Sequence, residues 1–264
     1  MGLLMTESKH MGRLAGKVAI VSGGAGGCGA AASTLFAAEG ARVVIIDRDG
    51  DAAEGLAATL RDEGKSALGL QADVSRQADV QQAVSTAREK FGNADILFNH
   101  AGTLIVKPFL DIEETEWDWL MSVNVKSMFL MTKAVLPQML EKGRGSIICT
   151  SSISAVLATP GEVLYDATKG ACHMFARAIA VEYRDRGIRC NAIAPGFIRT
   201  PHGMRELKDL QAMGVDATEA AIAAQQGRLC DPSEVAAAAL FLASDEASFV
   251  NGTHLFVDNC FSAV

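Results

Sequence analysis

The stretch Val18-Ala19-Ile20-Val21-Ser22-Gly23-Gly24-Ala25-Gly26-Gly27-Cys28-Gly29 decides the fold. Its first four residues are a short, continuously apolar run, the pattern of a strand covered on both faces. Glycine-rich sequence follows, and residues 30–39 then carry a helical pattern. A strand, a glycine turn and a helix in that order make a phosphate cradle. Glycines let the backbone approach a pyrophosphate, and the helix N-terminus offers free N–H groups at the positive end of its dipole.

Working outward, the same rhythm repeats along the chain. Strands are expected at 42–46, 67–72, 95–98, 146–149, 188–193 and 254–257. Helices are expected at 52–63, 77–91, 115–140 and 167–183. Asp231-Pro232-Ser233-Glu234 opens a further helix: Asp caps it, Pro suits its first position, and Glu reaches back to the cap. Alternating strands and helices with apolar strands give an α/β fold, a doubly wound parallel sheet with helices on both faces. Neither a repeat nor a Pro/Ser-rich linker divides the chain, so one Rossmann-type domain is expected over 14–264, preceded by a flexible leader at 1–13. The segment 201–227 is too long for a plain connection and has a helical tint, which suits a lid over a substrate.

Composition narrows the function. The chain has 264 residues, 49% apolar and 21% charged, with net charge -7. That acidity is the reverse of a nucleic-acid binder. No apolar run reaches the length of a membrane span, and Met1 to Arg13 lacks a secretory h-region, so a cytoplasmic location is expected. The six cysteines (28, 149, 172, 190, 230 and 260) form no C-x-x-C pair and read as buried free thiols. The histidines at 100, 173, 202, 254 and 10 lack ligand spacing with them, so no metal site is expected.

Asp47 ends the second strand, about 20 residues beyond the glycine turn, where an acid accepts the ribose hydroxyls of NAD and repels a 2′-phosphate. NAD is therefore expected over NADP, with Arg48 the one neighbour that could take a phosphate instead.

Several further motifs, in order, resemble the short-chain dehydrogenase/reductase family. Ser22-Gly23-x-x-x-Gly27-Cys28-Gly29 is similar to its cofactor turn. Asp73-Val74 resembles its adenine-contacting pair. Asn99-His100-Ala101-Gly102 resembles its N-N-A-G segment, with His100 in place of the second Asn. Asn124 matches its catalytic Asn, and Ser152, Tyr165 and Lys169 its Ser and Y-x-x-x-K. Pro195-Gly196, with Ile198 and Thr200, resembles the segment that holds the nicotinamide carboxamide. The end, Val257-Asp258-Asn259-Cys260, departs from the glycines the family often has there. The resemblance spans the chain from about Gly12. It implies a seven-stranded sheet, a nicotinamide cofactor, a small alcohol or carbonyl substrate and a homotetramer built on the two long helices and the C-terminal strand.

The chemistry suits those residues. Oxidising an alcohol releases a proton, and a phenol with a reference pKa near 10 must drop by about three units, or roughly 4 kcal/mol, to accept it near neutrality. Tyr165 and Lys169 are four apart and share a helix face. An ammonium at about 4 Å supplies on the order of 4 kcal/mol at an effective dielectric of about 20, so Lys169 together with a positive nicotinamide ring can lower the phenol. Ser152 can donate to the substrate oxygen. Ser151 and Ser154 compete for that role, and the family's spacing selects Ser152. Asn124 falls mid-helix, where Asn disturbs local structure, and the resemblance implies a water held there for proton relay. Trp117 and Trp119 read as packing or subunit contact, and Met121, Met128 and Met131 as core.

Substrate contacts are expected from Thr103, Ser154, Val156, Glu162, Phe197 and the segment His202 to Met213. Glu162 and His202 could pair with hydroxyls, which favours a small polar alcohol. Two alternatives remain beside an NAD-dependent dehydrogenase: an NADP-dependent carbonyl reductase of the same family, and a dinucleotide sensor without turnover. An enoyl reductase is disfavoured, because relatives of that kind space Tyr and Lys further apart.

Overall fold

The apolar runs form the strands of a parallel sheet. In chain order the elements are β1 (Val18–Ser22), α1 (Gly27–Ala38), β2 (Arg42–Asp47), α2 (Gly50–Asp62), β3 (Ala67–Gln71), α3 (Gln77–Phe91) and β4 (Ile96–Asn99). There follow α4 (Glu114–Met121), α5 (Ser127–Lys142), β5 (Gly145–Thr150), α6 (Val163–Tyr183) and β6 (Ile188–Pro195). The chain closes with α7 (Pro201–Ala212), α8 (Glu219–Gln226), α9 (Pro232–Ala243) and β7 (His254–Val257). The computed structural model describes residues 12–263.

The seven strands lie in the order β3-β2-β1-β4-β5-β6-β7, every pair parallel. The order reverses between β1 and β4, whose carboxyl ends carry Ser22 opposite Asn99. A doubly wound sheet opens its ligand crevice at such a point. On one face of the sheet α1, α2 and α9 bury Phe36, Leu60, Val235 and Leu240 against Val43, Ile45 and Phe98. On the other, α3, α5 and α6 bury Val80, Met131, Met139 and Ala176 against Val44, Leu97 and Ile147. Met128 and Met131 are core as expected, whereas Met121 is only partly buried.

Local chemistry accounts for the helix ends. Asp231 and Glu234 form the expected capping box at α9, with Pro232 in its first turn. Thr200 and Thr218 cap α7 and α8 through their hydroxyls, accepting from Gly203 and Ala221. These two helices make up the expected lid segment. Leu207, Leu210 and Ile222 pack it onto Phe197 and Ile153.

Several expectations need adjusting. The long helix expected at 115–140 is two helices joined by a π-helical turn, Ser122–Lys126, with Asn124 at its centre. The helix expected at 167–183 begins at Val163, after the Gly161 turn (φ +84°), because Leu164 and Tyr165 are buried by its first turn. Of the leader expected at 1–13, residues 1–11 lie outside the described residues. Gly12 and Arg13 are placed, with the Arg13 amide donating to the Glu39 carboxylate at 2.7 Å and its guanidinium to Glu246 at 2.6 and 2.8 Å. Five cysteines are buried as expected, but Cys260 is exposed. At the C-terminal turn, where the family often has glycine, Asn259 (φ +46°) and Cys260 (φ +69°) take left-handed conformations. The Asn259 amide steadies that turn by donating to the Gln226 carbonyl at 2.8 Å.

Two glycines of the first turn are required by close approach. Gly23 has φ +63°, and a Cβ there would lie 2.8 Å from the Ala101 Cα. A Cβ on Gly29 would lie 1.9 Å from the Gly23 carbonyl oxygen, so α1 can start under the turn only without a side chain. Gly29→Ala is expected to cost about 1–3 kcal/mol of stability, the usual cost of forcing an atom into a packed site. Thermal unfolding checks this; an unchanged midpoint would contradict the close approach.

Candidate active site

A cleft of about 510 Å³ runs across the carboxyl ends of the strands. Each loop leaving a strand contributes to it. From the β1 turn come Gly23, Gly26, Gly27 and Cys28; from β2, Asp47 and Arg48; after β3, Asp73 and Val74; after β4, Ala101, Gly102 and Thr103. Ser152 and Ser154 follow β5, Tyr165 and Lys169 enter from α6, and Pro195, Gly196, Phe197, Ile198, Thr200 and His202 follow β6. The sequence expected all of these at a site, and the topology brings them to one surface.

Six expected residues do not line the cleft. Ser22 sits beneath it: its hydroxyl accepts the His100 and Ala101 amides at 3.1 and 3.2 Å and ties β1 to the end of β4. Gly29 lies behind Gly23. Asn99 is buried and donates to the Thr132 hydroxyl at 3.0 Å. The Asn124 amide is likewise buried: its oxygen accepts the Thr103 amide at 2.8 Å, and its nitrogen donates to the Thr103 carbonyl and the Thr168 hydroxyl at 2.8 and 2.9 Å. It positions Thr103 rather than reaching the cleft. Val156 is 52% exposed on the outer surface, and Glu162 is enclosed behind the lining.

The glycine-turn end fits a dinucleotide. Gly26 caps α1 without any side-chain hydrogen bond, which leaves the leading N–H groups to an anion. The Asp47 carboxylate accepts the Ala25 and Asp49 amides, each at 3.2 Å, and keeps lone pairs facing the cleft. The Asp73 carboxylate is engaged by the Ser75 amide and hydroxyl at 3.0 and 2.6 Å, which fixes the loop after β3. Cys28 is buried, which pushes its thiol up to about 12 and leaves it an uncharged packing group.

At the other end Tyr165 is 7% exposed. The Lys169 ammonium lies 5.5 Å from its ring centre and donates to the Thr150 carbonyl at 3.0 Å. The Ser152 hydroxyl donates to Ser154 at 3.2 Å and accepts the Ser154 amide at 3.1 Å. Burial holds the Tyr165 phenol well above its ordinary value; Glu206 and Glu162 push it the same way, and Ser152 is the neighbour that lowers it. Burial in turn disfavours the Lys169 ammonium. The expected lowering of the phenol calls for a positive nicotinamide ring as well as Lys169; among the chain's own groups burial dominates.

Other lining residues were missed or read differently. Trp119, taken for packing or subunit contact, lines the cleft, as do Ser122 and Val123 of the π-helical turn. Arg205 and Glu206 line it from α7 and were given only as part of a segment. Helical spacing could have found them: His202, Arg205 and Glu206 fall at i, i+3 and i+4, on one face of α7. Arg205 donates to the Thr103 hydroxyl at 3.1 Å. Burial, with Lys169 and Arg205 nearby, holds His202 down at about 4. His100 lines the cleft with its Nδ1 2.9 Å from the Thr150 hydroxyl. Burial first, then Lys169 and His202, push it down to about 3, so it is neutral at physiological pH.

A parallel sheet with a crossover crevice and an uncapped glycine turn defines a nucleotide-binding protein of the Rossmann class. The family model described as "Enoyl-(Acyl carrier protein) reductase" matches residues 23–262. The chain is 40% identical over 253 residues to Oxidoreductase UcpA of Salmonella typhimurium, covering 94% of this chain and 95% of that one. It is 39% identical over 257 residues to the cyclopentanol dehydrogenase of a Comamonas species, covering 96% and 100%. It is 39% identical over 250 residues to the 2,5-dichloro-2,5-cyclohexadiene-1,4-diol dehydrogenase LinX of Sphingobium indicum, covering 95% and 98%. The crystal structure of levodione reductase superposes with a TM-score of 0.90 at 33% identity, covering 95% of this chain and 99% of that one. The chain belongs to the short-chain dehydrogenase/reductase family. It is an oxidoreductase of that family, whose members use a nicotinamide dinucleotide.

A histidine held neutral at the cleft wall makes the fold sensitive to pH. The unfolded chain protonates His100 near 6.5, and the folded chain only near 3. Between those values the unfolded state binds the extra proton, so folding loses stability as pH falls. His100→Asn removes that loss. The variant should gain on the wild type by up to about 1.4 kcal/mol per pH unit below pH 6. Denaturant melts at pH 7 and 5 check this, and parallel curves would show that His100 ionises in place.

Proposed function

We propose that the protein is an NAD-dependent dehydrogenase of secondary alcohols, running as a ketone reductase in the reverse direction, with Tyr165 as general acid and base. One observation carries this most: the Tyr165 phenol is buried in the cleft between Ser152 and Lys169, at the end of a groove that begins at the glycine turn. When bound, the dinucleotide supplies the hydride exchange and, oxidised, a positive ring. Asp47 would hold the adenosine ribose and Lys169 the nicotinamide ribose, with the α1 N-terminus on the pyrophosphate.

The chain's own groups then divide the work. Ser152 donates to the substrate oxygen and stabilises charge on it. The Tyr165 hydroxyl moves the proton to or from that oxygen. Burial holds Tyr165 as a phenol, and Lys169 together with the positive ring of the bound dinucleotide would draw it down toward a base. Asn124 fixes Thr103 at the cleft wall, and the lid helices α7 and α8 exclude water.

The relatives named for cyclopentanol and for a cyclohexadienediol support a ring alcohol as the substrate. The spacing of Tyr165 to Lys169 speaks against enoyl reduction. Exposed apolar side chains on α5, α6 and β7 (Phe129, Met174, Val181 and Phe256) support a homotetramer.

Tyr165→Phe is expected to lower kcat on the order of 10²- to 10⁴-fold, the range of a general acid–base group, while NAD titration still gives binding. Retention of near-wild-type kcat would remove Tyr165 from the chemistry. Asp47→Asn is expected to weaken NAD on the order of 10- to 100-fold and to narrow its advantage over NADP, since a charged acceptor is lost. A wild type that binds NADP more tightly than NAD would overturn the cofactor assignment.

A further inference from the structure

Glu162 immediately precedes α6, three residues before Tyr165, and is 1% exposed. Among the described residues no donor satisfies either of its carboxyl oxygens. A buried carboxylate without a hydrogen bond or counter-charge is too costly to persist, so a proton or a partner must compensate it. The groups facing it are Glu206 of α7, Asp166 of its own helix and the hydroxyl side chain of Thr159, which reaches no hydrogen-bonding geometry. Two of these three are acids. The cations nearby, Lys169 and Arg205, face Glu206 instead. Burial and the neighbouring acids hold Glu162 well above the ordinary carboxylate range, and burial raises Glu206 as well, less far with Lys169 and Arg205 close to it.

Glu206 is the member of the pair that reaches the cleft. Both acids lie near enough to Tyr165 to raise its phenol. Around Glu206 the wall is polar: His202 and Arg205 on the same helix, and Thr103 bound by Arg205 at 3.1 Å. A simple alcohol offers this wall nothing to bond. A second substrate hydroxyl, beside the one Tyr165 serves, has an acceptor waiting.

We propose that Glu162 and Glu206 share one proton and form a subsite at the Tyr165 end of the cleft, where the Glu206 carboxylate accepts a hydrogen bond from a second hydroxyl of the substrate, which makes the substrate a diol; this subsite presupposes the alcohol chemistry proposed above. Glu162 supports the acceptor from behind, and Glu206 touches the substrate. A hydrogen bond to a buried charged group discriminates on the order of 10- to 100-fold against a substrate that lacks the hydroxyl.

The test compares cyclohexanol with cis- and trans-1,2-cyclohexanediol, using NAD and the full chain. The wild type is expected to prefer one diol by at least about 10-fold in kcat/KM. Glu206→Gln and Glu162→Gln should each bring that ratio toward one, chiefly by raising KM for the diol. If the two acids merely latch α7 to α6, both substrates lose together and the ratio stays put, which overturns the subsite. A wild type that oxidises cyclohexanol as readily as either diol also overturns it and leaves the alcohol reading intact. No turnover of any of the three, with NAD or NADP, removes the alcohol reading and the subsite together. Infrared spectra of the protein without cofactor give a readout independent of turnover. A protonated-carboxyl stretch should persist at pH 7 and vanish in Glu162→Gln; its absence from the wild type would overturn the shared proton.

Discussion

Desolvation of the Tyr165 phenol is the constraint on which the rest of the site depends. The side chain is buried by the first turn of α6, against Leu104, Leu120 and Leu164. Water excluded from that corner cannot solvate a phenolate, an ammonium or a carboxylate, so every charge there needs a specific partner. Lys169 finds one in the Thr150 carbonyl, while Glu162 finds none among the donors of the described residues. The result is a corner with few ways to carry charge, where one added positive group changes the proton balance of all its members.

The fold supplies that corner through its topology. The reversal between β1 and β4 separates two loops that would otherwise pack together, and Ser22 bridges them by accepting the amides of His100 and Ala101. On one side the glycine turn leaves helix N–H groups free; on the other, the loops after β5 and β6 deliver Ser152 and Pro195. The π-helical turn at Asn124 serves the same geometry. Its wider backbone lets the amide point sideways into the Thr103 loop, so the wall of the cleft is hydrogen-bonded from a helix interior.

Much of this was legible before any coordinates. Strands such as Val18-Ala19-Ile20-Val21 are apolar throughout because both faces are covered, and that pattern alone gave the parallel sheet. The glycine turn and the Tyr165/Lys169 spacing were legible because each is a local sequence with a local geometry. Legibility failed where tertiary contact decides. The break at Ser122–Lys126 depends on Asn124 finding Thr103, which lies on another loop. Glu162 looks like a substrate contact by its place near Tyr165, but burial encloses it, and the cleft is served by Glu206 from a helix that packs back only in the folded chain. His100 shows the same limit: its sequence position permits either charge state, and its surroundings select the neutral one.

The most direct measurement is a spectrophotometric tyrosinate titration of the protein with and without bound NAD. The chain has two tyrosines, Tyr165 and Tyr183, so the Tyr165→Phe variant assigns the signals. The account predicts that Tyr165 ionises well above its ordinary value without the dinucleotide and drops by units of pH when oxidised NAD is bound. A Tyr165 signal that stays where it was on binding would contradict the central claim that this buried phenol is the proton carrier.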